Sequence, residues 1–301
     1  MAINRVDIKD FLVFKGEFTA EFCPGVNVLI GGNGTGKTTL LEVLNRKTSN
    51  ELLYVLQDEK GNKIGETLNY FRGSLDSDVQ YIASPEITNN NINIGVDFEK
   101  AIKKTVFISA NILGRLRDII EKIINREPTS KYTTITHMME EKLGIKGIVR
   151  EKAYGAILTY VVRPNDEKYI LAFEASGIQK FVLLYLLLKF SFFENGSILF
   201  WDEPENSLNP ELITVLVDIL LELSRNGVQI FIATHSEILA SYLAVNRQNG
   251  DKVMFTSLYK DGEHIKANTS DRFDLLEPNN LTAEPVKLYE KEIERGMGSN
   301  G

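Results

Sequence analysis

Val26-Asn27-Val28-Leu29-Ile30-Gly31-Gly32-Asn33-Gly34-Thr35-Gly36-Lys37-Thr38-Thr39 runs from a short, β-branched apolar stretch into four glycines within six positions. The helix-like Leu40-Leu41-Glu42-Val43-Leu44 follows directly. The order is strand, loop, helix, and the loop reads G-x-x-x-x-G-K-T from Gly31 to Thr38. Glycines let backbone N–H groups close around a phosphate, because a Cβ would block the approach. A helix beginning near Gly36 points its positive end at the same anion. Lys37 can reach the β- and γ-phosphates, and the Thr38 hydroxyl can ligate Mg²⁺. Gly31, Gly32, Asn33, Gly34, Thr35, Gly36, Lys37, Thr38 and Thr39 are the expected phosphate-binding residues.

A second apolar strand, Ile198-Leu199-Phe200-Trp201, ends in the adjacent carboxylates Asp202 and Glu203. Alone, such a pair reads as a solvated strand end. Downstream of a phosphate loop it has a job: Asp202 can hold Mg²⁺, directly or through water, and Glu203 can polarise an attacking water. Thr234-His235-Ser236 closes the next strand. An imidazole at that sheet edge can sense the γ-phosphate. His137 and His264 are assigned no role.

The remaining composition sets bounds. The chain has 301 residues, 43% hydrophobic and 25% charged, as in ordinary globular proteins with a well-buried core. Its single cysteine, Cys23, excludes an internal disulfide framework and fits a reducing compartment. The N-terminus alternates like a strand rather than a leader, and the apolar run Phe181–Phe193 is broken by Lys189 and too short to span a bilayer. A cytoplasmic protein is expected. The net charge of −7 argues against indiscriminate coating of nucleic acid, although residues 100–152 carry twelve Lys/Arg against six Asp/Glu. That local excess fits either an anionic partner or a solvated helical face.

Taken in order, Ile3–Asp10 and Phe18–Phe22 read as strands joined through Phe11–Gly16. The helix after Lys37 runs to about Arg46. Residues 50–100 look β-rich, and Thr105–Ser109 reads as a buried strand. Ile112 to Ile124 repeats at helical spacing until Pro128, and a second helix spans Thr133 to Leu143. Ala156–Arg163 and Lys168–Phe173 form a hairpin. A helix over Gly177–Phe190, a strand at Ile198–Trp201, a helix over Pro210–Arg225, a strand at Val228–Ala233 and a helix from Glu237 then indicate a parallel sheet with crossover helices. A hairpin, Val253–Tyr259 with His264–Ala267, and a polar helix over Ala283–Arg295 complete the chain. The expected organisation is one domain over 1–301. Within it, 1–105 is a lobe with the phosphate loop and a β subdomain, 106–152 a small helical insertion, and 153–301 a C-terminal lobe.

Gly31–Thr38, Glu174-Ala175-Ser176-Gly177-Ile178-Gln179-Lys180, Asp202-Glu203-Pro204-Glu205, Ser207-Leu208-Asn209 and His235 together resemble the ordered motifs of ABC-type ATPases. In that family these are the Walker A loop, signature, Walker B with its glutamate, D-loop and switch histidine. The resemblance covers nearly the whole chain. It is nearer to the SMC/RecF-like branch, particularly the compact AAA_15/AAA_21-type proteins related to OLD-family ATPases. Ile8-Lys9-Asp10-Phe11 with Phe14-Lys15 is similar to that branch's opening, and Asp202–Asn209 to its Walker B and D-loop. The signature departs from the Leu-Ser-Gly-Gly-Gln of transporters but keeps Ser176 and Gly177.

The resemblance implies an α/β P-loop fold: an ABC-type ATPase head with a mixed, partly antiparallel β subdomain, a central parallel sheet flanked by helices, and a helical insertion. It implies ATP and Mg²⁺ as cofactors, Glu203 and His235 as catalytic residues, and Ser176, Gly177 and Gln179 as further nucleotide ligands. A metal-side glutamine is expected at Gln80, with Gln57 the alternative. Two copies are expected to stack head to tail, each giving its signature to the other's γ-phosphate. Relatives of this kind implicate a separately encoded effector, such as a nuclease or toxin, in an anti-phage system, since the chain holds no nuclease motif of its own. The rival readings are a DNA-clamping repair ATPase using the basic segment, with nucleic acid as partner, and the ATP-binding subunit of a transporter. No membrane partner is expected.

Overall fold

The computed structural model describes residues 2–48, 92–96, 105–108, 120, 128–190, 193 and 196–298. At its centre lies a six-stranded sheet in the order β12-β11-β3-β10-β9-β5. These are β3 (Val26–Gly31), β5 (Thr105–Ile108), β9 (Ile198–Asp202), β10 (Gln229–Ala233), β11 (Val253–Asp261) and β12 (His264–Ser270). All pair in parallel except β12, which returns antiparallel along β11. Every residue of β3, β9 and β10 is buried, as a parallel sheet covered on both faces requires.

Alternate residues of these strands feed two cores. Val28, Ile30, Leu199, Trp201, Ile230 and Ile232 pack with Val182 and Leu186 of α3 (Ser176–Lys189) and Leu216 and Leu220 of α4 (Pro210–Arg225). Leu29, Phe200, Phe231 and Ala233 face the other way, onto Leu40, Leu41 and Leu44 of α1 (Lys37–Thr48). The same core takes Val6, Ile8, Phe14 and Phe18 from a second sheet, β2-β1-β4, formed by β1 (Ile3–Phe11), β2 (Phe14–Glu21) and β4 (Ile92–Val96). Gln229 stitches the two sheets: its amide accepts from Ile3 N at 2.8 Å and donates to the Ile3 and Cys23 carbonyls, each at 2.7 Å.

Three expectations change. The β1–β2 connection is only Leu12-Val13, because Phe11 and Phe14 pair across the hairpin and are buried. Segment 106–152 is not simply a helical insertion. Its first residues belong to β5 in the central sheet, and its last belong to β6 (Gly147–Ala153). That strand pairs with β7 (Ala156–Val162), which pairs with β8 (Lys168–Ile170), making a three-stranded antiparallel sheet where a two-stranded hairpin was expected. The helix expected at Thr133 is present as α2 (Thr133–Leu143), closed by Gly144 in the left-handed region. Of the helix expected over Ile112–Ile124, only Ile120, helical and buried, falls within the described residues. Of the strands expected over 50–100, only β4 does.

The last two helices are α5 (Glu237–Asn246) and α6 (Asn280–Gly298). No helix among the described residues is long and apolar enough to cross a membrane.

Candidate functional site

The sheet delivers the motif residues to one edge. β3 ends at Gly31, where a Cβ would stand 2.3 Å from the Leu258 carbonyl oxygen of the neighbouring strand, so only glycine fits. Gly36, at φ +88°, is held as tightly: a Cβ there would meet Val13 and Phe14 of the β1–β2 hairpin at 2.8 and 2.9 Å. The hairpin thus braces the phosphate loop from outside. Thr35 donates its hydroxyl to the Gly32 carbonyl at 2.9 Å. Lys37 lies buried with its ammonium on the carbonyls of Gly31 (2.8 Å) and Gly32 (3.1 Å). Burial draws its pKa down, against the opposing pull of Asp202, Glu203 and Glu205. A phosphate entering the loop meets a cation already aimed into it.

Because β3 and β9 flank β10 in parallel, their C-terminal ends open side by side. Thr38, on the first turn of α1, donates to both carboxylate oxygens of Asp202, at 3.2 and 3.0 Å. Asp202 is buried, and burial raises its pKa against the lowering effect of that hydroxyl. A hydroxyl and one carboxylate are a small donor set. Mg²⁺ suits it, because that ion keeps several waters and takes other oxygens from the substrate's phosphates. Among the described residues no cluster of three or more His, Cys, Asp or Glu could hold a metal by itself.

Glu203 follows in a left-handed conformation (φ +48°) that turns the chain out of the sheet. Its Oε1 lies 3.8 Å from Nε2 of His235, both side chains being partly exposed. Partial burial, then the charge of Lys37, holds the His235 imidazole below its usual pKa, while Glu203 and Glu205 oppose the shift. A neutral imidazole facing a carboxylate at an open sheet edge can orient a water or a phosphate oxygen between them.

The signature residues begin α3. Ser176 is its first residue, Ala175 precedes it, and no side chain caps the helix. Gly177 packs on the D-loop so closely that a Cβ would stand 2.7 Å from Leu208 Cδ2 and 2.9 Å from the Ser207 carbonyl. Gln179 turns its amide back, donating to the Glu174 carbonyl at 2.8 Å. Among the described residues no hydrogen bond joins Ser176 or Gly177 to the loop Gly31–Thr38. Gln80 and Gln57 lie outside the described residues.

Two neighbours escaped sequence reasoning. Lys180, one turn beyond Ser176, is buried and donates to the carbonyls of Glu203 (3.2 Å) and Asn206 (2.7 Å). Burial lowers its pKa, with Glu205, Glu203 and Asp202 opposing. A lysine directly before the apolar run Phe181–Leu188 of the same helix was the available signal. Glu205 accepts from Thr234 Oγ1 at 2.6 Å and from His235 N at 3.0 Å. Nothing in its spacing announces this.

A comparison with curated proteins found no match. Among solved structures, the crystal structure of an SMC head bound to the C-winged helix domain of ScpA is similar over 90% of this chain and 98% of that one, at 13% identity and a TM-score of 0.53. An SMC head domain with an extended coiled coil, bound to the C-terminal domain of ScpA derived from Pyrococcus furiosus, matches over 96% and 99%, at 9% identity and a TM-score of 0.50. These likenesses speak for the fold. Residues 58–241 match the family model AAA_21, described as "AAA domain, putative AbiEii toxin, Type IV TA system". That span covers more than half of the chain and includes Ser176, Asp202, Glu203 and His235. The chain therefore belongs to this AAA-domain family, is an ATPase, and has a fold similar to that of SMC heads.

Proposed function

We propose that two copies of the chain close head to tail around ATP and Mg²⁺, and that the cycle of closing and hydrolysis regulates a partner effector. Gly31–Thr39 hold the phosphates, with Lys37 leaving its two loop carbonyls for the β- and γ-oxygens. Thr38 and Asp202 hold Mg²⁺, Glu203 polarises the attacking water, and His235 contacts the γ-phosphate. Ser176, Gly177 and the uncapped start of α3 complete the partner copy's site. The observation that carries this is the division of parts. Thr38, Asp202, Glu203 and His235 share one edge, whereas the start of α3 makes no bond to its own phosphate loop. A helix N-terminus with unfilled N–H groups is a ready anion site. Phe173, 85% exposed just before it, offers apolar surface that a second copy would cover.

The family description names a toxin and a toxin–antitoxin system. It names no separate effector; we propose that the effector is a separately encoded nuclease or toxin within a defence role, the ATPase cycle being the switch. Glu203→Gln with ATP and Mg²⁺ should shift the chain from monomer to dimer in size-exclusion chromatography. A variant that binds ATP yet stays monomeric contradicts the reading.

A further inference from the structure

Glu205 sits where the signature helix, the Walker B turn and the switch loop meet, and no part of the proposed chemistry uses it. Its position follows from the turn it closes. Glu203 N still bonds the Ala233 carbonyl at 2.9 Å, one residue beyond β9, and Asn206 N returns to the Glu203 carbonyl at 3.1 Å. This brings the Glu205 side chain against the segment between β10 and α5.

One oxygen then does two things. Oε1 accepts from the Thr234 hydroxyl at 2.6 Å and from His235 N at 3.0 Å. The Thr234 oxygen in turn accepts from Ser236 N at 2.9 Å, and Ser236 Oγ caps α5 by accepting from Leu239 N at 3.1 Å. Three successive residues are fixed through one carboxylate, with His235 in the middle. The His235 imidazole is 3.8 Å from Glu203, beyond hydrogen-bond length, so its aim is set by the backbone that carries it.

We infer that Glu205 is a positioning residue: by holding the Thr234-His235-Ser236 backbone it keeps the imidazole on Glu203. This rests on the reading of His235 as the γ-phosphate contact. A carboxylate suits the task, because a charged acceptor with two donors is stronger than a neutral one. Its other oxygen, Oε2, is buried and has no hydrogen-bond partner among the described residues, so Glu205 is held here by its single bonded oxygen. An amide oxygen at the same place can accept both bonds, whereas a methyl group leaves His235 N and Thr234 unanchored.

The test is a double-mutant cycle on the full chain, reading kcat and KM for ATP. Glu205→Ala should lower kcat about 10- to 100-fold with KM changed less than about threefold, the scale expected when a catalytic group is misplaced by an ångström. Glu205→Gln should recover to within about threefold of the parent. In a His235→Ala background, Glu205→Ala should change kcat by less than about twofold. If Glu205→Ala fails to fold, Thr234→Val, which removes one of the two donors, serves in the same cycle. An equal effect with and without His235, or Glu205→Gln as damaged as Glu205→Ala, overturns the inference alone. A His235→Ala chain with unchanged kcat overturns the underlying role of His235, and this inference with it.

Discussion

The Thr38 hydroxyl spans both carboxylate oxygens of Asp202, at 3.2 and 3.0 Å, although 164 residues separate the two in the chain. The sheet order makes this possible, since β3 and β9 end together on either side of β10. If the pair holds Mg²⁺, Asp202→Asn should raise the Mg²⁺ concentration for half-maximal ATPase activity about tenfold or more, equivalent to about 1.4 kcal/mol. Thr38→Ala should act in the same direction, less strongly. A magnesium titration of steady-state hydrolysis checks both, and unchanged requirements would remove the pair from the metal site.

Gly177 and Gly144 form a controlled comparison. A methyl group on Gly177 meets the Ser207 backbone carbonyl at 2.9 Å, so the D-loop must shift, whereas Gly144 has open space. Gly177→Ala should cost about 1–3 kcal/mol and lower ATPase activity. Gly144→Ala, at φ +60°, should cost about 1 kcal/mol through backbone strain and leave turnover alone. Denaturant midpoints and turnover, measured on both variants, separate local strain from damage to the site.

Lys180 links the signature helix to the Walker B turn through the carbonyls of Glu203 and Asn206. Lys180→Met keeps the apolar stem and removes the donors, leaving those carbonyls without their partner. A loss of about 1–3 kcal/mol in stability is expected, together with a fall in kcat larger than any rise in KM. Turnover as in the parent chain would show that the link is structural only.

The His235 imidazole is held below its usual pKa by burial and by Lys37. The sign is therefore definite: it stays neutral at pH 7 and takes a proton only below the ordinary value of about 6.5. If the neutral ring acts in hydrolysis, kcat/KM, which reports the free chain, should hold as pH falls to that value and drop beneath it. The limb should be missing in the low residual activity of His235→Ala. A limb of unchanged position in that variant assigns it to another group.

Much of this was legible in residues whose local pattern and final environment agree. β3, β9 and β10 are buried on both faces, so each appears as a mainly apolar run, and the runs end in the phosphate loop, the acid pair and Thr234-His235. β6 was not legible. Most of Gly147–Ala153 is only half-buried on both faces, so neither alternation nor an apolar run marks it, and it merged with the helical segment before it. The short β1–β2 connection was hidden because the turn itself is the apolar pair Leu12-Val13, with Val13 set against Gly36. The bonding partners of Lys180 and Glu205 were invisible for a different reason. Their roles are contacts 23 to 30 residues away in sequence, which no local pattern encodes.

The central claim is that each ATP site is built from two copies, and complementation tests it most directly. Lys37→Ala removes the phosphate loop's cation and Ser176→Arg blocks the signature, so each variant alone should be inactive. In a mixed dimer one site carries both defects and the other carries neither. Equal mixing should therefore restore about a quarter of the parent activity, because half the dimers are mixed and each has one intact site. A mixture no more active than its separate components would contradict the shared site.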